Sequence, residues 1–247
     1  MRSKKSGLAM AAVVTALLVF TASGFATAIP YNSSTRIPTA RSVSNVFAPK
    51  TPSSSLIYTQ IPDFLLKYAS QNDTITFGNY ATAYDNFTLG ASYNINRFTW
   101  VGGYFNPPEK GMISGFTLTF YADAGNQPGT VLATYPGAGA GNFGETFFVG
   151  SNQFYAYSWT LAVPFAASAG TEYWASIVPD LGLPPQWGWG TSSSADHFAW
   201  QCFLGTCGAV PTDFAFGLST TTPEPGTVVL MVSGLLGLAA VIRRKLF

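Results

Sequence analysis

Apolar and polar residues alternate one by one through much of this chain. In Phe116-Thr117-Leu118-Thr119-Phe120 every second residue is apolar, and Tyr155, Tyr157, Trp159, Leu161 and Val163 recur at the same interval. A period of two sends successive side chains to opposite faces of an extended strand, whereas an amphipathic helix repeats every 3.6 residues. The pattern therefore predicts half-buried strands. Further candidates are 84–89, 93–105, 130–135, 145–149, 171–178, 186–190, 196–203 and 213–219. Between them lie turn formers such as Gly125-Asn126-Gln127-Pro128-Gly129, Ala169-Gly170 and Pro184-Pro185. These gaps are too short for crossover helices, so neighbouring strands run antiparallel. The expected fold is all-β, an antiparallel β-sandwich of the jelly-roll kind.

Composition supports a folded chain and removes several function classes. Of 247 residues, 47% are hydrophobic and only 9% charged, enough apolar side chain for a sizeable core. The formal charge is +1, but Arg2, Lys4, Lys5, Arg243, Arg244 and Lys245 sit at the two ends. Setting these and Glu224 aside leaves six basic against ten acidic residues, a net charge of −4. Such a chain lacks the basic footprint of a nucleic-acid binder. One histidine, His197, and two cysteines, Cys202 and Cys207, cannot supply the four ligands of a His/Cys zinc site.

The ends read as targeting segments. Residues 1–28 hold a basic start, an apolar run over 8–22 and the small-x-small site Ala26-Thr27-Ala28, the pattern of a signal peptide cleaved after Ala28 and passed through the Sec translocon. At the other end, Pro223-Glu224-Pro225-Gly226-Thr227 is followed by an uncharged run over 228–242 and then Arg243-Arg244-Lys245. As a helix, that run is about 22 Å long, short of the roughly 30 Å hydrocarbon core, so the basic side chains must snorkel. The positive-inside rule keeps both basic clusters cytoplasmic and places 29–222 outside. The division expected is signal helix 1–28, a Ser/Thr/Pro-rich linker and entry segment 29–70, a sandwich over 71–222 and a tail over 223–247 with transmembrane helix 228–242. Within the entry segment, 62–68 reads as one helical turn.

The order Pro-Glu-Pro-Gly-Thr, short apolar span, Arg-Arg-Lys resembles the PEP-CTERM sorting signal of Gram-negative bacteria. That resemblance implies an exosortase as partner, removal of the tail, and passage from an inner-membrane-anchored intermediate facing the periplasm to the cell surface or extracellular matrix. The stretches Asp85-Asn86-Phe87-Thr88-Leu89, Gly102-Gly103-Tyr104-Phe105, Ile113-Ser114-Gly115-Phe116 and Tyr121-Ala122-Asp123 are similar to the β-sandwich domains carried by such proteins, which implies a fold without an assigned activity.

Candidate sites in the middle are few. Gly139-Ala140-Gly141-Asn142-Phe143-Gly144 has dinucleotide-fingerprint spacing, but a strand rather than a helix is expected after it, so it reads as a hairpin loop. Asp196 and His197 are adjacent, and neighbours in a strand face opposite ways, so a surface histidine is expected rather than an acid/base pair with Ser192, Ser193 or Ser194. Asp85 and Asp123, with Asp180 and Asp213, are candidate calcium ligands near strand ends or turns, with solvated turn carboxylates as the alternative. Cys202 and Cys207 enclose the turn sequence Phe203-Leu204-Gly205-Thr206 in an exported chain and are expected to form a disulfide. Trp187-Gly188-Trp189 puts two indoles on one strand face. With Trp200 they are candidate glycan contacts, or else they fill the core. The function expected is that of a non-enzymatic, exopolysaccharide-associated surface protein of matrix or biofilm. The alternative is an extracellular polysaccharide hydrolase whose carboxylate pair the sequence does not identify.

Overall fold

A computed structural model describes residues 46–47, 54–105, 111–138, 142–149, 152–221 and 233. The signal sequence, the expected membrane span 228–242 and the motif Pro223 to Lys245, apart from Ser233, lie outside the described residues. Among the described residues fifteen strands form two sheets. The first contains β1 (Ser54–Gln60), β2 (Pro62–Ala69), β5 (Tyr93–Tyr104), β8 (Asn142–Val149), β9 (Asn152–Ala167), β11 (Trp187–Ser192), β14 (Asp213–Phe214) and β15 (Phe216–Thr221). The second contains β3 (Gln71–Asp73), β4 (Gly78–Thr88), β6 (Gly115–Asp123), β7 (Pro128–Ala138), β10 (Glu172–Leu181), β12 (Ala199–Phe203) and β13 (Thr206–Val210).

The first sheet runs β1-β15-β5-β11-β14, with β9 on the other side of β5, β8 beyond β9, and β2 against β11. The second runs β13-β12-β4-β3-β10-β6-β7, with β4 also paired to β10. Pairings among the described residues are antiparallel apart from β3 with β10. The period-two reading thus holds, and the two sheets enclose one core.

That core is aromatic. Phe116, Leu118 and Phe120 enter it from β6, Phe98 and Trp100 from β5, and Trp187 and Trp189 from β11. Trp100 stacks on Tyr157 at 5.3 Å and Trp189 on Phe214 at 5.2 Å between ring centroids. Both β11 indoles find acceptors inside, Trp187 Nε1 at Tyr157 Oη (3.3 Å) and Trp189 Nε1 at the Ala215 carbonyl (3.0 Å). Room for Trp187 comes from Gly102 on the paired strand. A Cβ there would overlap the indole and lie 2.7 Å from the Gly188 carbonyl oxygen.

The boundary expected at residue 71 is corrected. Residues 54–73 are three strands, because 62–68 pairs with β11 along Gly188↔Ala69 and Trp189↔Tyr68 instead of turning as a helix. Within the expected linker, Phe47 is buried with Phe64, Val101, Phe154, Ala156 and Ala215. These residues cover the outward side of the first sheet, since Val101 faces away from its core-facing neighbour Trp100.

One carboxylate ties the loops at one end. Asp73 accepts hydrogen bonds from the backbone N–H groups of Ile75 (3.1 Å), Thr76 (2.9 Å), Phe77 (2.8 Å) and Leu183 (2.9 Å). Burial alone would raise its pKa, but these donors outweigh burial and bring it down to about 2.

Two outcomes follow for stability. Gly102→Ala forces the Trp187 ring or the β11 backbone to move and lowers stability by about 3 kcal/mol in urea unfolding. Asp73→Ala orphans four backbone donors and costs at least about 2 kcal/mol in the same assay.

Candidate functional site on the outer face of the second sheet

Alternation in β4, β10, β6 and β12 sends one set of side chains into the core and presents the other outside. Ala83 and Phe87 point inward with Tyr173, Ala175, Ile177, Leu118, Phe120 and Ala199. Tyr84, Asn86, Glu172, Trp174, Ser176, Thr119, Tyr121 and Trp200 take the opposite face. Register lines them up in rows. Trp200 is opposite Tyr84, Tyr84 opposite Ser176, and Ser176 opposite Thr119. Because Ser176 is small, Tyr84 and Tyr121 meet across it with ring centroids 5.4 Å apart, and the Tyr121 hydroxyl lies 3.1 Å from Ser176 Oγ. Tyr84, Tyr121 and Trp200 are half-buried. In the next row Asn86 faces Trp174, whose indole is fully buried and packs edge-on to Phe198.

Acids flank these rings. Asn86 Nδ2 donates to Glu172 Oε1 at 2.7 Å and to Asp196 Oδ2 at 3.1 Å. Behind Asn86, Asp85 is wholly buried and accepts from the backbone N–H groups of Phe214 and, at 2.8 Å, Asn86. Desolvation raises its pKa well above the ordinary carboxylate range, and Asp213 and Asp196 add repulsion. Asp213 accepts from the backbone of Ala195 (3.0 Å) and His197 (2.8 Å), with the Asp196 carboxylate beside it. Burial, then the contact with Asp196, raises its pKa as well. Tyr58 is pushed up to about 12 by burial, opposed by its bond from Gln60, with Asp85, Asp196 and Asp213 adding to the rise. Asp85 and Asp213 thus bind protons more readily than isolated carboxylates.

The residues singled out from sequence are distributed unevenly. Trp187 and Trp189 are completely buried, so these two candidate glycan contacts are corrected to core residues; paired β11 lies inside the first sheet and both N–H groups are satisfied there. Trp200 stays on an outer face. Cys202 and Cys207 are disulfide-bonded across the β12–β13 hairpin, directly opposite one another, two positions from Trp200 on its strand. Asp85 and Asp123 do not converge as calcium ligands. Asp123 caps its own turn, accepting from Gly125 N and Asn126 N at 3.0 Å and from Trp174 Nε1 at 2.9 Å, while Asp85 sits on the far side of β10. No group of three or more His, Cys, Asp or Glu among the described residues could hold a metal ion. His197 is exposed, with Nδ1 3.7 Å from Asp213 rather than oriented by its neighbour Asp196. Ser192 and Ser194 bond each other at 2.8 Å and engage Ile61. Sequence reasoning missed Tyr84, Asn86, Tyr121 and Glu172. The available signal was alternation within the expected strands 84–89 and 171–178, which separates Tyr84 and Asn86 from Asp85 and Phe87.

The two kinds of carboxylate oppose one another as pH changes. Asp73 and Asp123 have lowered values, Asp123 because its Trp174, Gly125 and Asn126 donors outweigh burial, so their stabilisation is lost as pH falls below the unfolded carboxylate range. Asp85 and Asp213 have raised values, so their contribution is present below that range and is lost as pH rises through their folded values. The combined contribution of these four carboxylates to thermal stability is therefore greatest at roughly pH 4. Asp213→Asn flattens the high-pH limb and leaves the acid limb in place, whereas a wild-type melting temperature rising steadily to neutral pH contradicts this assignment.

Residues 221–245 match the PEP-CTERM protein-sorting motif. No curated protein and no solved structure matches the chain. The matched segment follows directly from β15, which ends at Thr221 in the first sheet. By this C-terminal signal the chain is a PEP-CTERM protein, an exported exosortase substrate whose sorting signal is membrane-anchored.

Proposed function

We propose that this is a non-catalytic protein of the cell surface or extracellular matrix that binds exopolysaccharide through the outer face of its second sheet. The observation that carries the reading is the row of half-buried rings, Trp200, Tyr84 and Tyr121, on a sheet whose core is already filled by other aromatics. Such rings offer apolar faces to the C–H faces of sugars, and the neighbouring Asn86, Glu172 and Asp196 supply hydrogen-bonding groups. The route also favours it. β15, the last strand before the sorting signal, belongs to the first sheet, whereas the proposed face belongs to the second.

Retention of the native protein on the matrix polysaccharide of its own cells tests the reading. Tyr84→Ala and Trp200→Ala each weaken retention about tenfold, with the fold monitored by circular dichroism. Unchanged retention in both folded variants excludes this face. In cells lacking the exosortase, intact-mass measurement should find the C-terminal segment retained and the protein held with the membrane.

A polysaccharide hydrolase is the second reading, and one observation favours it. Glu172 and Asp196 share the Asn86 amide nitrogen, so their bonded oxygens are separated by no more than those 2.7 and 3.1 Å bonds laid end to end. That separation suits a retaining glycosidase. Against it, the Asn86 amide fills the gap in which a sugar carbon would have to sit. Release of reducing ends that disappears in Glu172→Gln would establish the hydrolase and displace the binding reading.

A further inference from the structure

We infer that the polysaccharide taken by this face is cationic, a polymer of amino sugars carrying free ammonium groups. The inference rests on the reading that the face binds glycan, and names the class of glycan.

Acidic residues occur in the strands of both sheets, but basic ones only in the first. The strands of the second sheet contain Asp73, Asp85, Asp123, Glu172 and Asp180 and no Lys, Arg or His. The basic residues in the described strands are Lys67 and Arg97, both in the first sheet. Lys67 is buried there over the Phe154 ring, at 4.4 Å. Nothing in the strands of the second sheet can pair with a uronate or other acidic sugar, and an acidic polymer would meet like charge.

An ammonium group meets two complementary features. Glu172 and Asp196 lie at the edge of the ring row, both held by Asn86, and Asp196 is exposed. Glu172 Oε2 has no hydrogen-bond partner among the described residues, so it can accept from an ammonium without breaking an existing bond. The rings add to this. The faces of Tyr84, Tyr121 and Trp200 carry negative quadrupole potential, which attracts a cation as well as the sugar's apolar side. The hydroxyls of a neutral glycan can also donate to these carboxylates, but only an ammonium group adds opposite charge to the hydrogen bond and to the ring faces.

The test is binding of the mature protein to short glucosamine oligomers, compared with their N-acetylated counterparts, galacturonate oligomers and oligolysine. The expected result is preference for glucosamine oligomers, weakened about threefold by each of Glu172→Gln and Asp196→Asn. Raising salt from about 50 mM to about 0.5 M should also weaken binding. Tyr84→Ala and Trp200→Ala should weaken it further, and the near-isosteric Glu172→Gln keeps the test valid if either truncation fails to fold. Equal or tighter binding of N-acetylated or galacturonate oligomers, lost in Tyr84→Ala, overturns the charge inference while the glycan-binding reading stands. Binding of none of the sugars, or glucosamine binding indifferent to Tyr84→Ala and Trp200→Ala, overturns both. Oligolysine bound as tightly as glucosamine oligomers, without dependence on the rings, overturns the inference in favour of a cationic peptide.

Discussion

The ring of Trp187 fills the space over Gly102, where any side chain on that strand would collide with it. Around this contact the rest of the core closes. Phe116 packs edge-on to Trp187 at 5.7 Å and to Trp100 at 5.0 Å, and Tyr157 stacks on Trp100 while accepting the Trp187 N–H. Phe116 comes from the second sheet and the others from the first, so this group fastens the two layers together. Indoles cost little conformational entropy for the area they bury, and a buried N–H that finds an acceptor avoids a desolvation penalty. Both conditions are met inside, which is why Trp187 and Trp189 serve the core and are withdrawn from any ligand.

With the core satisfied, the aromatic residues outside it acquire meaning. Tyr84, Tyr121 and Trp200 sit beyond the second sheet, next to carboxylates, on strands with no basic residue. The Cys202–Cys207 disulfide closes the hairpin whose first strand carries Trp200. A loop so short gains only about 2 kcal/mol from the cross-link, so its main effect is to hold that strand's end in register. The face is thus built on paired strands, in contrast to the loops gathered by Asp73 at the end of the sandwich. Its first strand in sequence, β4, is paired on both sides by β10 and β12.

Much of this is legible in the sequence, and the exceptions have physical causes. Alternation at 116–120 and 155–163 marked strands because each side of those strands has a different environment. The same rule failed at 62–68. Pro62-Asp63-Phe64-Leu65-Leu66-Lys67-Tyr68 does not alternate, since Phe64 is buried against the small cluster outside the first sheet while Tyr68 packs on Phe214. Cys202 and Cys207 could be paired from spacing and compartment because only two cysteines exist. The fate of Trp187 and Trp189 could not be read, since two residues on one strand face are known to share a side but not which side. That choice was made by Gly102, whose missing side chain becomes visible only once β5 is paired with β11. The carboxylate cluster was hidden for a related reason: Asp85, Asp196 and Asp213 are scattered in sequence and meet only through the placement of β14 beside β4 and the 193–198 loop.

The claim on which the account depends is that the working aromatics are those outside the second sheet and not the paired indoles of β11. Hydroxyl-radical footprinting of the native protein, read by mass spectrometry with and without its matrix polysaccharide, addresses it directly. The account predicts oxidation of Tyr84, Tyr121 and Trp200 that the polysaccharide suppresses, with Trp187 and Trp189 unmodified in both states. Oxidation of Trp187 and Trp189 that the polysaccharide protects, with the Tyr84 and Trp200 signals unchanged, would contradict it.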